Sequence, residues 1–406
     1  MITRRTVLKA GAVATVAAAA GVNAATPAAA TPAAATPATP ATPAASATPA
    51  ASATPAASAT PAKDSAAFQA ALDRIAGKAA SGVLAEVRDP HWVWRGSSGV
   101  SELGTSKRVV PTGRFRIGSV NKSFMSTVML QLVAERRLGL DDPIRRWLPG
   151  VAPGEDRITV RNLLQHTSGI FDYTTLLPQI FPTIADVVRQ RYRTWTPREL
   201  LALTAVHPPL FEPGSSWSYS NTNYILLGLV IERVAGRGYA DEIRRRILDP
   251  LRLYDTAGPG TDPHIRGPHS HGYLLDESGA TVDITVFNPS IAGASGDMLS
   301  SATDLNRFFG ELNAGRLVPG TLLTEARTVF PGTSYGLGLQ TKTAPTGVTL
   351  WGHTGGIFGY YTYSFSTVDG HRRLTLSTNP WGDDDLGPGL PDFLTAVFPA
   401  EPRSQG

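Results

Sequence analysis

The chain reads as an α+β body with a largely helical insertion. Two observations predict this. Strand-like segments rich in β-branched and aromatic residues lie near the start of the folded sequence and again towards its end, and the stretch between them is dominated by helical patterns. At 406 residues the chain can bury a large core, and clefts between two such bodies are common places for active sites.

Residues 1–24 pair a basic head, Arg4, Arg5 and Lys9, with a short Ala/Gly/Val run, the pattern of a secretory signal. The adjacent arginines point to the twin-arginine route. The run is too short and too alanine-rich for a lasting anchor. Residues 25–62 are Ala, Thr, Pro and Ser only, with too little apolar bulk to offset chain ordering, and read as a disordered tether or a pro-segment. Folded sequence is expected from 63 to 400, with 401–406 a tail. Lys plus Arg number 37 against 33 for Asp plus Glu, and three of the basic residues belong to the leader. The remainder is close to neutral, so charge suggests neither nucleic acid nor an anionic membrane as partner. Cysteine is absent, which excludes disulfides, thiol nucleophiles and Cys-ligated metal.

A first helix is predicted over Ser65–Lys78, where Phe68, Leu72 and Ile75 share a stripe. Gly82–Arg88 and His91–Arg95 follow as a strand pair across Asp89-Pro90. Helical patterns then cover Lys122–Glu135, Val160–Gln165, Pro197–Thr204, Asn223–Val234 and Asp304–Leu312. Strand patterns return at Tyr335–Leu339, Val348–Gly352, Tyr360–Thr367 and Arg373–Thr378.

Three segments carry chemistry. Ser119 and Lys122 are three apart at the head of a helix, so the amine can sit beside the hydroxyl, and the helix N-terminus favours developing negative charge. Taken alone, Ser119 is equally an N-cap and Lys122 a solvated lysine. Tyr219-Ser220-Asn221 precedes another helix; a tyrosine near a lysine can act as a phenolate base, or the trio can simply cap that helix. His353-Thr354-Gly355-Gly356 reads as a glycine-rich lead into a strand, where a substrate can lie against the strand edge and an N–H can pair with that of Ser119 as an oxyanion hole. Such a segment by itself is more often a turn.

Together these segments resemble the serine β-lactamase and penicillin-binding protein superfamily in its class C-like lineage, closest to the secreted D-alanyl-D-alanine carboxypeptidases of Streptomyces type. The likeness covers about Gly82 to Phe398 and includes Phe115-Arg116-Ile117-Gly118-Ser119, Leu164-Gln165-His166-Thr167-Ser168-Gly169, Tyr219-Ser220-Asn221-Thr222-Asn223, Tyr335-Gly336-Leu337-Gly338-Leu339 and Gly359-Tyr360-Tyr361-Thr362-Tyr363. The resemblance implies a β-lactamase/transpeptidase-like antiparallel sheet flanked by helices. It also implies an acyl-enzyme at Ser119, with Lys122 and Tyr219 sharing proton transfers and His353 supplying a proton or hydrogen bond. The N–H groups of Ser119 and Gly356 would form the oxyanion hole, and Asn221, Thr354, Gly355 and Gln340 would line the substrate. The expected partners are a peptidoglycan stem peptide or small acyl substrate and β-lactams, handled outside the cell by a monomer without metal or cofactor.

Two positions depart from the carboxypeptidase pattern. Gln340 and Gly356 stand where those peptidases carry an arginine and a threonine that hold the terminal carboxylate. Losing a charge-assisted contact of ~1.5–3 kcal/mol is enough to change which substrate wins, and Lys342 lies on the same strand face as Gln340. An esterase, β-lactamase or D-amino-acid amidase on the same scaffold is therefore an open alternative, as is a non-catalytic β-lactam sensor or wall-binding protein. His264, His269 and His271 lack the pattern of a zinc site, and Asp383-Asp384-Asp385 lacks that of a calcium loop.

Overall fold

The computed structural model describes residues 61–400 except 79, 153 and 381–388. The leader, nearly all of the tether, the Asp383–Asp385 run and the tail lie outside the described residues.

The centre is a six-stranded antiparallel sheet. Among the described residues ten strands occur in chain order: β1 (Ala80–Arg88), β2 (Val93–Gly99), β3 (Arg114–Arg116), β4 (Tyr273–Leu275), β5 (Thr281–Asp283), β6 (Leu299–Ser301), β7 (Gln340–Thr343), β8 (Thr349–Ile357), β9 (Tyr360–Thr367) and β10 (Arg373–Pro380). The main sheet runs β2-β1-β10-β9-β8-β7, while β3 pairs with β6 and β4 with β5. N-terminal strands thus join C-terminal ones through β1 and β10, as the resemblance implies.

The two faces of the sheet pack differently. On one lies the first helix, Ala62–Lys78, whose Phe68, Ala71, Leu72 and Ile75 recur at helical spacing and meet Phe393 of the helix Gly389–Val397. That last helix has no counterpart among the predicted elements, and the first begins on the last residue of the expected tether, three residues before the predicted Ser65. Tyr361, Tyr363 and Phe365 of β9 point to this side, while Thr362, Ser364 and Ser366 point to the other. These buried hydroxyls are bonded: Ser364 to Thr375 at 2.7 Å, and Ser366 from Asn313 at 2.7 Å. The second face carries the larger core, centred on the helices Asn121–Ala134 and Asn221–Ala235.

The helices Val160–Gln165 and Pro197–Thr204 have the predicted bounds, and Asn221–Ala235 and Ala302–Asn313 extend theirs slightly. Three strand expectations need correction, the first being His91–Arg95, which is shifted because β2 runs Val93–Gly99. Tyr335–Leu339 is not a strand; β7 starts only at Gln340. Gly338 has φ +72°, and the Gly338 and Leu337 carbonyls accept from the Ser123 and Ser126 hydroxyls, so this backbone is bonded to a helix rather than along a ladder. Val348–Gly352 is only part of β8, which continues to Ile357. His353–Gly356 therefore lies within a strand, and the turn is the two-residue Phe358-Gly359 link to β9.

Candidate active site

Ser119 sits in a single 3₁₀ turn, Gly118–Val120, that leads into the helix Asn121–Ala134. Lys122 is one turn on and fully buried. Its Nζ donates to Ser119 Oγ at 2.9 Å, Asn221 Oδ1 at 2.8 Å and the Ser295 carbonyl at 2.8 Å. Tyr219, at the entry to the second central helix, donates from Oη to Ser119 Oγ at 2.9 Å. The three residues expected to do the chemistry therefore share one oxygen.

Burial decides their charges. Desolvation lowers the Lys122 amine to about 7, with Asp172 pulling it back up. The same effect holds the Tyr219 phenol well above its ordinary range, which favours the protonated hydroxyl that donates to Ser119 over the phenolate expected from its position beside a lysine.

β8 meets the nucleophile's turn with no room for a side chain. A Cβ on Gly355 would lie 2.0 Å from the Ile117 carbonyl oxygen and 3.0 Å from the Ser119 nitrogen. One on Gly118 would lie 2.6 Å from the Gly356 oxygen. Gly355 is thus the point of close approach between strand and turn, not a lining of the open cleft. Alternate N–H groups of β8 point away from β9, and that of Thr354 reaches Gln340 Oε1 at 3.1 Å on the outer side. Gly356 is two residues further, beyond the Gln340–Gly352 pair where β7 begins, so its N–H points the same way into open edge beside Ser119.

The remaining expected residues are near but differently engaged. His353 is buried, its Nδ1–H donates to the Thr354 carbonyl, and its Nε2 accepts from Tyr335 Oη at 2.9 Å. Burial lowers it to about 3, so the ring is neutral and its two nitrogens are turned to Tyr335 and Thr354 rather than to Ser119. Gln340 Oε1 accepts from both the N–H and the hydroxyl of Thr354, at 3.1 Å each, which makes it a brace for β8. Asn221 has its amide between Lys122 and Asp172. The resemblance gives it a substrate contact, but its side chain is 2% exposed and hydrogen-bonded on both sides.

Three contributors escaped sequence reading. Ser295 supplies only a backbone carbonyl, for which no side-chain pattern exists. Asp172 and His166 lie in or just after the Leu164–Gly169 motif, the available signal. His166 takes φ +64°, accepts the Ser220 N–H on Nδ1 at 3.1 Å, and sets its ring 4.2 Å from that of Tyr219. His264, His269 and His271 are turned to Asp262, Gly267 and Asp283 respectively. Among the described residues no group of three or more His, Asp or Glu is placed to hold a metal ion.

Comparison with known proteins agrees with this geometry. A D-stereospecific amidohydrolase from Streptomyces sp. is 39% identical and superposes with a TM-score of 0.75, over 82% of this chain and 98% of that one. The D-amino acid amidase of Ochrobactrum anthropi SV3, complexed with L-phenylalanine amide, is 27% identical with a TM-score of 0.73, over 83% of this chain and 99% of that one. Penicillin-binding protein 4* of Bacillus subtilis (strain 168) is 28% identical over 310 residues, 71% of this chain and 66% of that protein, just under two thirds of its length. The family described as Beta-lactamase matches residues 65–377. By this match, and by a buried lysine and a tyrosine converging on one serine oxygen, the chain belongs to the Beta-lactamase family and is a serine hydrolase.

Proposed function

We propose that the protein hydrolyses short amides and esters of D-amino acids through an acyl-enzyme on Ser119. The observation carrying this is the position of Ser119 Oγ, 2.9 Å from both Lys122 Nζ and Tyr219 Oη. Neutral Lys122 takes the hydroxyl proton as Oγ attacks the carbonyl carbon. The carbonyl oxygen, now anionic, accepts from the N–H groups of Ser119 and Gly356. Tyr219 gives its proton to the departing amine or alkoxide and regains one from the Lys122 ammonium. Water then enters by the reverse sequence and frees the acid. The D-amino-acid substrate class is supported by the likeness to the D-stereospecific amidohydrolase of Streptomyces sp. and to the D-amino acid amidase of Ochrobactrum anthropi SV3. It is further supported by Gln340, whose carbonyl oxygen is committed to Thr354 and which offers no cation to a terminal carboxylate.

A second reading is a D-alanyl-D-alanine carboxypeptidase on peptidoglycan stem peptides that also binds β-lactams. Lys342, a cation two residues along β7 from Gln340, and the penicillin-binding relative favour it. In either case we propose export, on the strength of the Arg4-Arg5 leader and the Ala/Thr/Pro/Ser tether. Ammonia release from D-phenylalanine amide, D-alanine release from a D-Ala-D-Ala peptide, and hydrolysis of an aryl ester and a cephalosporin separate the readings, with Ser119→Ala as control. Faster turnover of the peptide than of the amide would favour the second reading. Intact-mass spectra without an adduct on Ser119 would sink both, and a stable adduct without turnover would indicate a sensor.

A further inference from the structure

Lys122 does not face Ser119 alone. Its Nζ is held from behind by Asn221 Oδ1 at 2.8 Å, and the Asn221 amide donates from Nδ2 to Asp172 Oδ2 at 3.0 Å. Asp172 is buried, and its oxygens also accept from the Thr174 N–H at 3.1 Å and hydroxyl at 2.8 Å. An asparagine amide can turn over, offering NH₂ where its oxygen was; a carboxylate accepts only, so it permits one orientation of Asn221.

The other titratable groups around the amine carry no charge at neutral pH. The Tyr219 and Tyr224 rings lie 5.0 and 5.3 Å from Nζ, and burial raises both phenols. His166 and His353, which also act on Lys122 electrostatically, are both lowered by burial and neutral. Asp297, the other buried acid on this side, faces Tyr239 and Asn121. Burial raises Asp172 as well, against the bonds from Thr174 and Asn221 and the nearby Lys122, which favour its ionised form; as a carboxylate it is the negative charge that opposes desolvation of the ammonium.

We propose that Asp172 is a positioning residue of the hydrolytic site: it locks the Asn221 amide so that Lys122 Nζ is held against Ser119 Oγ, and it sets the charge state of that amine. Asp172 touches neither Ser119 nor the reacting carbonyl, and acts wholly through Asn221 and Lys122. The inference rests on the hydrolase reading above, with Lys122 as base, but not on the D-amino-acid substrate.

Acylation by an aryl ester, followed as kcat/KM against pH, tests it. Asp172→Asn removes the charge, so the lysine deprotonates more easily and the acid limb moves to lower pH by about one unit. The plateau falls roughly tenfold or more as Asn221 loses its fixed orientation. A merely structural role would lower the plateau and leave the limb in place, and that result overturns the proposal. If Asp172→Asn does not fold, Thr174→Val keeps the carboxylate and takes away one of its donors. The carboxylate is then more easily protonated, because the Thr174 hydroxyl is one of the bonds that favours its ionised form, so it opposes desolvation of the ammonium less and the limb again moves to lower pH; an unmoved limb in that variant overturns the proposal equally. Wild-type protein with no ester turnover at all would instead fail the hydrolase reading.

Discussion

In the proposed mechanism Lys122 and Tyr219 divide the proton work because burial acts on an amine and a phenol in opposite directions. Only the neutral amine can accept a proton, so kcat/KM should rise about tenfold per pH unit below about 7 and level off above it; a flat profile across pH 5–9 would contradict Lys122 as the base. Lys122→Arg, which stays charged at every accessible pH, should lose roughly 10³-fold in acylation rate, measured by the ester burst. Tyr219→Phe keeps the ring against His166 but removes the donor to the leaving group. It should cost ~10²–10⁴-fold on an amide and far less on an aryl ester, whose phenolate departs without a proton. Equal losses on both substrates would show that the hydroxyl does something else. That Ser119 and Lys122 lie side by side was legible in the sequence because one helical turn fixes their spacing, while their roles came from the resemblance of several segments together. The state of His353 was not, since it depends on Tyr335 arriving from another segment to occupy Nε2.

Among the elements, β8 and the Gly118–Val120 turn make the contact on which the oxyanion hole depends. Gly355→Ala puts a methyl 2.0 Å from the Ile117 oxygen, where both neighbours are backbone and neither can move aside. Strand and turn must part, so acylation should fall by ~10²-fold or more, with ~1–3 kcal/mol lost from stability. Urea midpoints alongside burst kinetics check both, and a fully active variant would refute the contact. Helix bounds such as Val160–Gln165 and Pro197–Thr204 were legible from helical patterning, and the structure adds the Thr159 and Thr196 capping boxes that start them. Tyr335–Leu339 was misread because alternating large residues and glycines imitate a strand. Its carbonyls are taken by Ser123 and Ser126, which a one-dimensional pattern does not reveal.

Across the whole molecule, the sheet separates a layer that stabilises from a layer that reacts. Phe68 sits in the cluster with Trp94 and Phe393, on the face away from the core that holds Ile117 and Val120 beside Ser119. Phe68→Ala should therefore cost ~3–5 kcal/mol in denaturation while leaving kcat/KM below the transition within about twofold of wild type. A large loss of activity at full occupancy of the folded state would mean the two layers are coupled. The α+β class, one body with end strands around a helical middle, was legible in the sequence alone because periodicity is a local property of the chain; spacing made Ser119 and Lys122 candidates, and only the resemblance of several distant segments gave them roles. The tertiary structure alone decided that Tyr219 remains a phenol, that Gln340 and His353 brace β8, and that Asp172 stands behind Asn221. Each of those depends on desolvation and on partners brought together from distant segments, and neither can be read from residue order.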